Sequence, residues 1–335
     1  MRVATWNVEW FNSLFDDEGQ PLVTGDWSSR WNVKRSDQIA AIVHVLRAID
    51  ADALMVIEAP DTSRKRDSAT ALRNLAKKYN LRLSDAVTGF ANDTQQEITL
   101  MFDPSKLTAV HDPRGGNGAS PRFDQSFHMD LDLDARPDDV VFSKPPLELA
   151  VKTKSGTDLR LIGVHAKSKA PHGARNDEQA RRISIENRRK QLAQCAWVRA
   201  RVEEHLTAGE EIIVLGDFND GPGLDEFEKL FGRSGVEIVL GENGNNCLFD
   251  PHARMALSRR GIAIPTTSRF FIRDENRFLS ALLDYIMISA GLRRKNPRWR
   301  IWHPFDDGAA YNDPKLRESL LTASDHFPVT LDITL

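Results

Sequence analysis

Short continuous apolar runs alternate along this chain with stretches whose apolar residues recur every three or four positions. The runs at 2–8, 53–58, 147–153, 159–165 and 212–215 are rich in Val, Ile and Leu, which predicts strands inside a packed sheet. Leu282–Ser289 and His326–Leu335 read the same way, and shorter strand signals fall near 82–87, 97–102 and 126–133. The runs 147–153 and 159–165 form a hairpin around Ser155-Gly156.

Helical spacing appears at Ile39, Ile42, Val43, Leu46 and Ile49, with Ser36 or Asp37 placed to cap the start. Leu72, Leu75, Ala76 and Tyr79 mark a second helix. The longest covers roughly 182–206, with Leu192, Cys195, Ala196, Val202 and Leu206 on one face, and a short helix is expected near 224–231. Residues 12–35 and 168–181 read as polar loops, 112–121 as an exposed Gly/Pro turn, and 241–268 as irregular. Strands and helices mix through both halves without repeat or linker. That pattern predicts one α/β or α+β domain over 1–335, with packed sheets and outer helices.

Bulk numbers narrow the class. The chain has 335 residues, 41% of them hydrophobic and 28% charged, ordinary for a globular protein with a large core. The net charge of −3 draws no polyanion from afar, so any nucleic-acid affinity must come from a local basic patch. Two cysteines, Cys195 and Cys247, lie outside any Cys-x-x-Cys or Cys-x-x-His spacing, which argues against a disulfide framework or a thiolate zinc site. No apolar run approaches the roughly 18 residues of a membrane span. The sequence opens directly on a strand pattern, without a signal-peptide pattern, and a cytoplasmic protein is the expectation.

The chemistry sits at the ends of the apolar runs. Asn7 and Glu9 end the first, Glu58 the second, His165 and Lys167 the hairpin, and Asp217 and Asn219 the run Ile-Ile-Val-Leu-Gly. Asp284 opens Asp-Tyr-Ile-Met, while Asp325 and His326 precede Phe-Pro-Val. Strand ends bring distant residues to one mouth, and carboxylates, amides and imidazoles gathered there suit a hard cation and phosphate-ester cleavage. Asn7 and Glu9, two apart, would share a strand face and bind a cation or orient a phosphate. Glu58, costly if buried unpaired, fits a cation or the solvated sheet edge. Asp217 is placed to orient or deprotonate a water, and Asn219 to donate to a phosphate oxygen. The same string also forms a plain Asx turn. Gly216 permits a close backbone approach. Asp284 is an orienter for His326 or for His165, and one of these histidines would activate water while the other protonates a leaving alkoxide.

Taken in order, these strings resemble the endonuclease/exonuclease/phosphatase superfamily, from Trp6-Asn7 to Asp325-His326. It includes pancreatic-type deoxyribonucleases, abasic-site endonucleases, neutral sphingomyelinases and inositol polyphosphate 5-phosphatases. Gly-Asp-Phe-Asn and Ser-Asp-His are the most specific pieces. The resemblance implies a four-layer α/β/β/α sandwich of two packed mixed sheets and one Mg²⁺ site, with Mn²⁺ as a substitute. It implies that Asn7 and Glu58 line the metal pocket, with Asp325 as a further ligand or brace. Asp217 then handles the water, Asn219 holds the scissile phosphate, Asp284 supports a histidine, His326 contacts phosphate or water, and His165 is the leaving-group acid. Oxygen ligands of this kind suit Mg²⁺ or Mn²⁺ better than Zn²⁺.

Departures narrow the branch. Abasic-site endonucleases use a mid-chain tyrosine, whereas the tyrosines here are Tyr79, Tyr285 and Tyr311. Inositol 5-phosphatases carry Tyr-Arg where this chain has Asp220-Gly221, and Pro-x-Trp where it has Leu282-Leu283. Many relatives place Gln before the metal Glu; here it is Ile57. The expectation is a metal-dependent phosphodiesterase acting on DNA or RNA, with a phosphomonoesterase or lipid-headgroup phosphodiesterase as the alternative and a silent binding module last. Lys167, Arg175, Arg269, Arg273 and His303 are candidate phosphate contacts in loops expected around the mouth. Arg181-Arg182, Arg188-Arg189-Lys190, Arg259-Arg260, Arg293-Arg294-Lys295, Arg298 and Arg300 form further basic clusters.

Overall fold

The computed structural model describes residues 1–115, 120–129, 138–171, 173–222, 231–242, 244, 246–258, 263–272 and 276–335. One six-stranded sheet contains β1 (Arg2–Asn7), β2 (Ala53–Ala59), β3 (Asp85–Thr88), β4 (Glu97–Phe102), β14 (Arg298–Ile301) and β15 (Val329–Asp332), in the order β14-β15-β1-β2-β4-β3. The facing five-stranded sheet contains β5 (Leu107–His111), β8 (Leu147–Thr153), β9 (Asp158–His165), β10 (Ile212–Asp217) and β13 (Asp284–Ile288), in the order β13-β10-β9-β8-β5. Two small hairpins, β6 (Phe127–Met129) with β7 (Asp138–Val140) and β11 (Ser268–Ile272) with β12 (Arg277–Ala281), stand apart.

Side-chain alternation sorts these strands into layers. Val3, Met55, Ile57, Leu100, Leu161, Ile213, Leu215 and Ile286 point inward and form the core between the sheets. Ala4, Trp6, Leu54 and Val56 point the other way. They meet α1 (Arg35–Ile49), α2 (Ser68–Tyr79) and α7 (Pro314–Ala323) in a second core. Ile162, Val164, Ile212 and Val214 back onto α3 (Asp177–Thr207) and α4 (Gly235–Leu240) in a third. Three cores make four layers, α/β/β/α. Each buried Leu or Ile contributes on the order of 1.5–3 kcal/mol. Gly163 on β9 leaves no room for a side chain between the sheets, since a Cβ there would lie 2.5 Å from Met55 Sδ.

Several expectations need correction. α1 starts one turn earlier, with Lys34 at its cap position and no side-chain cap; Ser36 Oγ instead bonds Asp37. α3 starts at Asp177, capped by Asn176, so the loop expected at 168–181 loses its last turn to helix. α5 (Pro251–Leu257) is helical within the stretch expected to be irregular, with Asp250 as its cap. β5, the β11–β12 hairpin, β14, α6 (Gly308–Asn312) and α7 carry no strong periodic signal and were not expected. The helix near 224–231, the basic pair 259–260 and Arg273 lie outside the described residues, except that Phe231 is helical.

Candidate active site

Three adjacent strands deliver the centre of the site. β10 runs parallel to β9 and antiparallel to β13, and the register sets His165, Asp217 and Asp284 side by side. Each continues an inward-pointing row: His165 follows Leu159 and Leu161, Asp217 follows Ile213 and Leu215, and Asp284 precedes Ile286 and Ile288. Asn7 ends the row of Val3 on β1 in the facing sheet. The inter-sheet core therefore ends, at one mouth, in polar groups from both sheets. Gly216 makes this possible, because at its φ of 137° a Cβ would collide with the Val164 carbonyl.

Glu58 breaks the alternation. Its position would place it with Leu54 and Val56 on the helix side. A register shift between Ile57 and Ala59, with φ of 61° at Glu58, turns it into the mouth instead. A left-handed conformation costs a non-glycine residue about 1–2 kcal/mol. Asn219, at φ 49°, is a second site residue in this region, which asparagine tolerates better.

The side chains converge. Asn7 Nδ2 donates to Asp217 Oδ2 at 3.0 Å, and the Asn219 backbone N–H donates to Asp217 Oδ1 at 2.7 Å. Asn219 Nδ2 donates to the Ala166 carbonyl at 3.1 Å. His165 Nε2 lies 3.7 Å from Asp217 Oδ2 and 3.9 Å from Glu58 Oε1, outside hydrogen-bond range. His326 Nδ1 bonds Asp284 Oδ2 at 2.8 Å, so Asp284 orients His326 and not His165. Thr267 Oγ1 accepts from the Leu283 and Asp284 amides, pinning that strand entrance. Ser324 Oγ donates to the Asn7 carbonyl at 2.8 Å and ties the Ser-Asp-His segment to β1.

Burial and charge set the protonation states. Burial pushes the Glu58 carboxyl up to about 7, against Lys144 and His326, which pull it down. Burial likewise lifts Asp217 to about 6, with His326 opposing. His165 stands well below the ordinary imidazole value, through burial and then the Lys144 and His326 charges. It is neutral at pH 7, so its contacts with the carboxylates are not ion pairs. Burial also disfavours the His326 imidazolium, but Asp284, with Asp217 and Asp325 behind it, overrides that and holds its pKa well above the ordinary value.

The other expected residues fall less centrally. Asp325 sits half-buried at the rim, close enough to raise the Glu9 and Glu58 carboxyls, and its carbonyl accepts from the Arg269 amide at 2.7 Å. Glu9 leaves the strand face it was expected to share with Asn7. β1 stops at Asn7, Trp10 turns left-handed, and Glu9 pairs with Arg30 and the Trp10 indole. Lys167 follows His165, its backbone held by Gln191 and Gln194. Arg175 is exposed ahead of α3 and has no contact with the cluster among the described residues. Arg300 stacks on Trp302 at 3.6 Å and pairs with Asp307, and Arg188 is buried against Asp220 at 2.6 Å; both are structural cations. His303 is buried between Thr266 and Phe327.

Two contributors were missed. Gln96 Nε2 donates to Glu58 Oε2 at 2.6 Å, so an amide from the edge of β4 serves the Glu58 carboxylate where Ile57 cannot. Lys144, in the loop before β8, faces Glu58 and Asp217; burial lowers its pKa and those acids raise it. Its only signal in sequence is a lysine before two prolines.

A divalent cation fits this donor set. Asn7 Oδ1 is buried with no hydrogen-bond donor, on a residue paired in register with Ile57, the neighbour of Glu58. An orphaned acceptor in an acidic pocket is what a hard, oxygen-seeking ion requires. Asp217, Asp284 and His326 also lie within ligand distance of one another. Asp284 Oδ1 is likewise buried without a hydrogen-bond partner, so that trio passes the same test.

The profile of the Endonuclease/Exonuclease/phosphatase family matches residues 4–326. The chain belongs to this family. Its members are phosphoester hydrolases that depend on a divalent metal, and this chain is one of them. No curated protein sequence matches it significantly. Among solved structures, truncated TDP2 from Caenorhabditis elegans is similar over 100% of this chain and 97% of that one, at 14% identity and TM-score 0.52. The 3' phosphatase NExo from Neisseria, bound to a product DNA hairpin, matches over 100% of both chains at 14% identity and TM-score 0.50. These likenesses establish the shared sandwich fold. No helix among the described residues is long and apolar enough to cross a membrane.

Proposed function

We propose that this chain is a Mg²⁺-dependent nuclease in which the whole of 1–335 serves as one catalytic domain. The observation that carries the reading is the mouth itself. It gathers a carboxylate poised near neutrality, a cationic and a neutral histidine, and two amides, one with an unpaired oxygen, from both sheets. Asn7 and Glu58 would hold the cation, with Asp325 as a further ligand or brace and Mn²⁺ as a substitute. When bound, the ion supplies charge stabilisation at the phosphate oxygens.

The residues divide the rest of the work. Asp217, at about 6, accepts the proton of a water attacking in line with the leaving oxygen. Asn219, whose amide N–H groups bond the Ala166 carbonyl and Asp217 in the free protein, turns one of them to a non-bridging phosphate oxygen. His326, kept cationic by Asp284, stabilises the charge that builds on the phosphorane oxygens. His165 is neutral in the free protein, and the phosphate's negative charge favours its protonated form. The P–O bond to the leaving alkoxide then breaks as His165 gives it a proton. Lys167 steadies a phosphate oxygen from the next position, and Arg175 and Arg269 reach phosphates farther along the strand. The Neisseria structure with its product DNA hairpin supports nucleic acid as the polyanion. Two free cysteines support a cytoplasmic location.

The test is plasmid DNA with Mg²⁺. Nicks that EDTA abolishes are expected, with His165→Ala and Asp217→Ala near-dead while melting as folded proteins. Absence of nicking, with release of inorganic phosphate from small monoesters, would replace the nuclease with a phosphomonoesterase.

A further inference from the structure

Beside the mouth lies a cleft of about 780 Å³. Its walls carry Trp31, Arg269, Phe271 and Phe278 together with Arg30, which is paired with Glu9, and Asp325 forms its edge toward the catalytic cluster. Exposed large rings gathered in one patch, unlike single ones, mark binding surfaces. Here Trp31 is 85% exposed, Phe271 and Phe278 are each 50% exposed, and Phe305 nearby is 43% exposed. Phe271 and Phe278 are cross-strand partners on the β11–β12 hairpin, with ring centroids 5.1 Å apart. The Arg269 guanidinium lies 3.6 Å from the Phe278 centroid and 5.3 Å from that of Phe305. A cation is therefore held against two exposed rings.

The hairpin is also fastened to the catalytic centre. Ser268 bridges His326, the Arg269 amide donates to the Asp325 carbonyl, and the Phe270 ring meets the His326 ring edge-on at 5.5 Å. These contacts fix the hairpin beside the catalytic centre, and Asp325 is shared by the cleft and the rim of the site.

We infer that this cleft binds unpaired bases of a single-stranded nucleic acid next to the scissile phosphate, an inference that rests on the nuclease reading above. Aromatic rings interleaved with arginine form a stacking platform for bases of any sequence, and the guanidinium meets the backbone charge. A duplex hides its base faces and cannot use such a platform. With Arg30 paired to Glu9, the concave shape and the Arg269 guanidinium against Phe278 favour a polyanion over a neutral lipid surface, which a convex apolar tip would suit better.

The test uses the full chain with Mg²⁺ on one labelled oligonucleotide, single-stranded and annealed, with bis-p-nitrophenyl phosphate as the small ester. The single strand is expected to be cleaved at least tenfold better than the duplex. Phe271→Ala and Phe278→Ala should each lower the ratio of single-strand to small-ester kcat/KM by roughly tenfold, the loss of one stacked base. Phe278→Trp should restore it, which separates stacking from misfolding. Equal cleavage of strand and duplex, or alanine variants with an unchanged ratio, would overturn the inference and leave the nuclease standing. Hydrolysis of the small ester alone would overturn both. Ring-dependent retention on phosphatidylcholine vesicles, with the single-strand ratio unmoved, would assign the cleft to lipid and overturn it too.

Discussion

Replacing Asp284 by Asn isolates the charge that keeps His326 protonated. In the native site the imidazole is buried, which alone disfavours its cation, and the 2.8 Å contact with Asp284 reverses the balance. Asparagine keeps the size but removes the charge, and its amide nitrogen can donate to Nδ1 and impose the other tautomer. Asp217 and Asp325 still favour the cation but do not bond it, so burial gains the upper hand. Each unit by which the His326 pKa falls below the assay pH costs tenfold in cationic enzyme. Loss of an electrostatic stabiliser of this kind costs about 10²–10³ in kcat. The assay is hydrolysis of bis-p-nitrophenyl phosphate across pH 5–9, with a thermal melt to verify folding. At pH 8 the variant should lose about 10²–10³ in kcat and recover part of it as pH falls. The wild type, whose His326 is already charged, should not gain in this way. A variant retaining more than a tenth of wild-type kcat, or one indifferent to acidification, would refute the assigned role.

Other outcomes follow from the same geometry. In metal-free protein, the Glu58 carboxyl near 7 stands above its unfolded value of 4.5. Its contribution to stability is full below about 4.5 and disappears as pH rises through 7, so EDTA-treated wild type should lose melting temperature over that window relative to Glu58→Gln. Titration calorimetry should show Mg²⁺ affinity falling about tenfold per unit below pH 7, as the ion must displace the Glu58 proton. Lys144→Met removes the largest charge opposing Glu58 protonation, and the midpoint of that affinity profile should move to higher pH; an unmoved midpoint would show that Lys144 does not act on the pocket. Gly216→Ala forces a Cβ against the Val164 carbonyl at a left-handed φ. Denaturant melts should report a loss of at least ~2 kcal/mol, accompanied by loss of activity because Asp217 is the next residue.

Much of the site was legible because alternation is written locally. An apolar row such as Ile213 and Leu215 tells that Asp217, two positions on, faces the same inter-sheet space. The same arithmetic places Asn7 and His165. It misplaces Glu58, since a bulge inserts one residue and reverses the face, and it cannot choose between His165 and His326 as the partner of Asp284. The basic clusters give no hint in sequence that the charges of Arg188 and Arg300 are consumed by Asp220 and Asp307.

The sequence by itself determined the strands, the longer helices and the kinds of chemistry at their ends, because those follow from side-chain period and type over a few residues. Tertiary structure alone decided which ends meet. The order β13-β10-β9 puts His165, Asp217 and Asp284 abreast, the Glu58 bulge turns a carboxylate toward His165, and Gln96, at the edge of β4, and Lys144, in a loop, arrive from positions that carry no chemical signal of their own. The aromatic cleft exists only because one hairpin folds beside residues more than two hundred positions away. Contacts at that separation depend on sheet order and packing, and no local period encodes them.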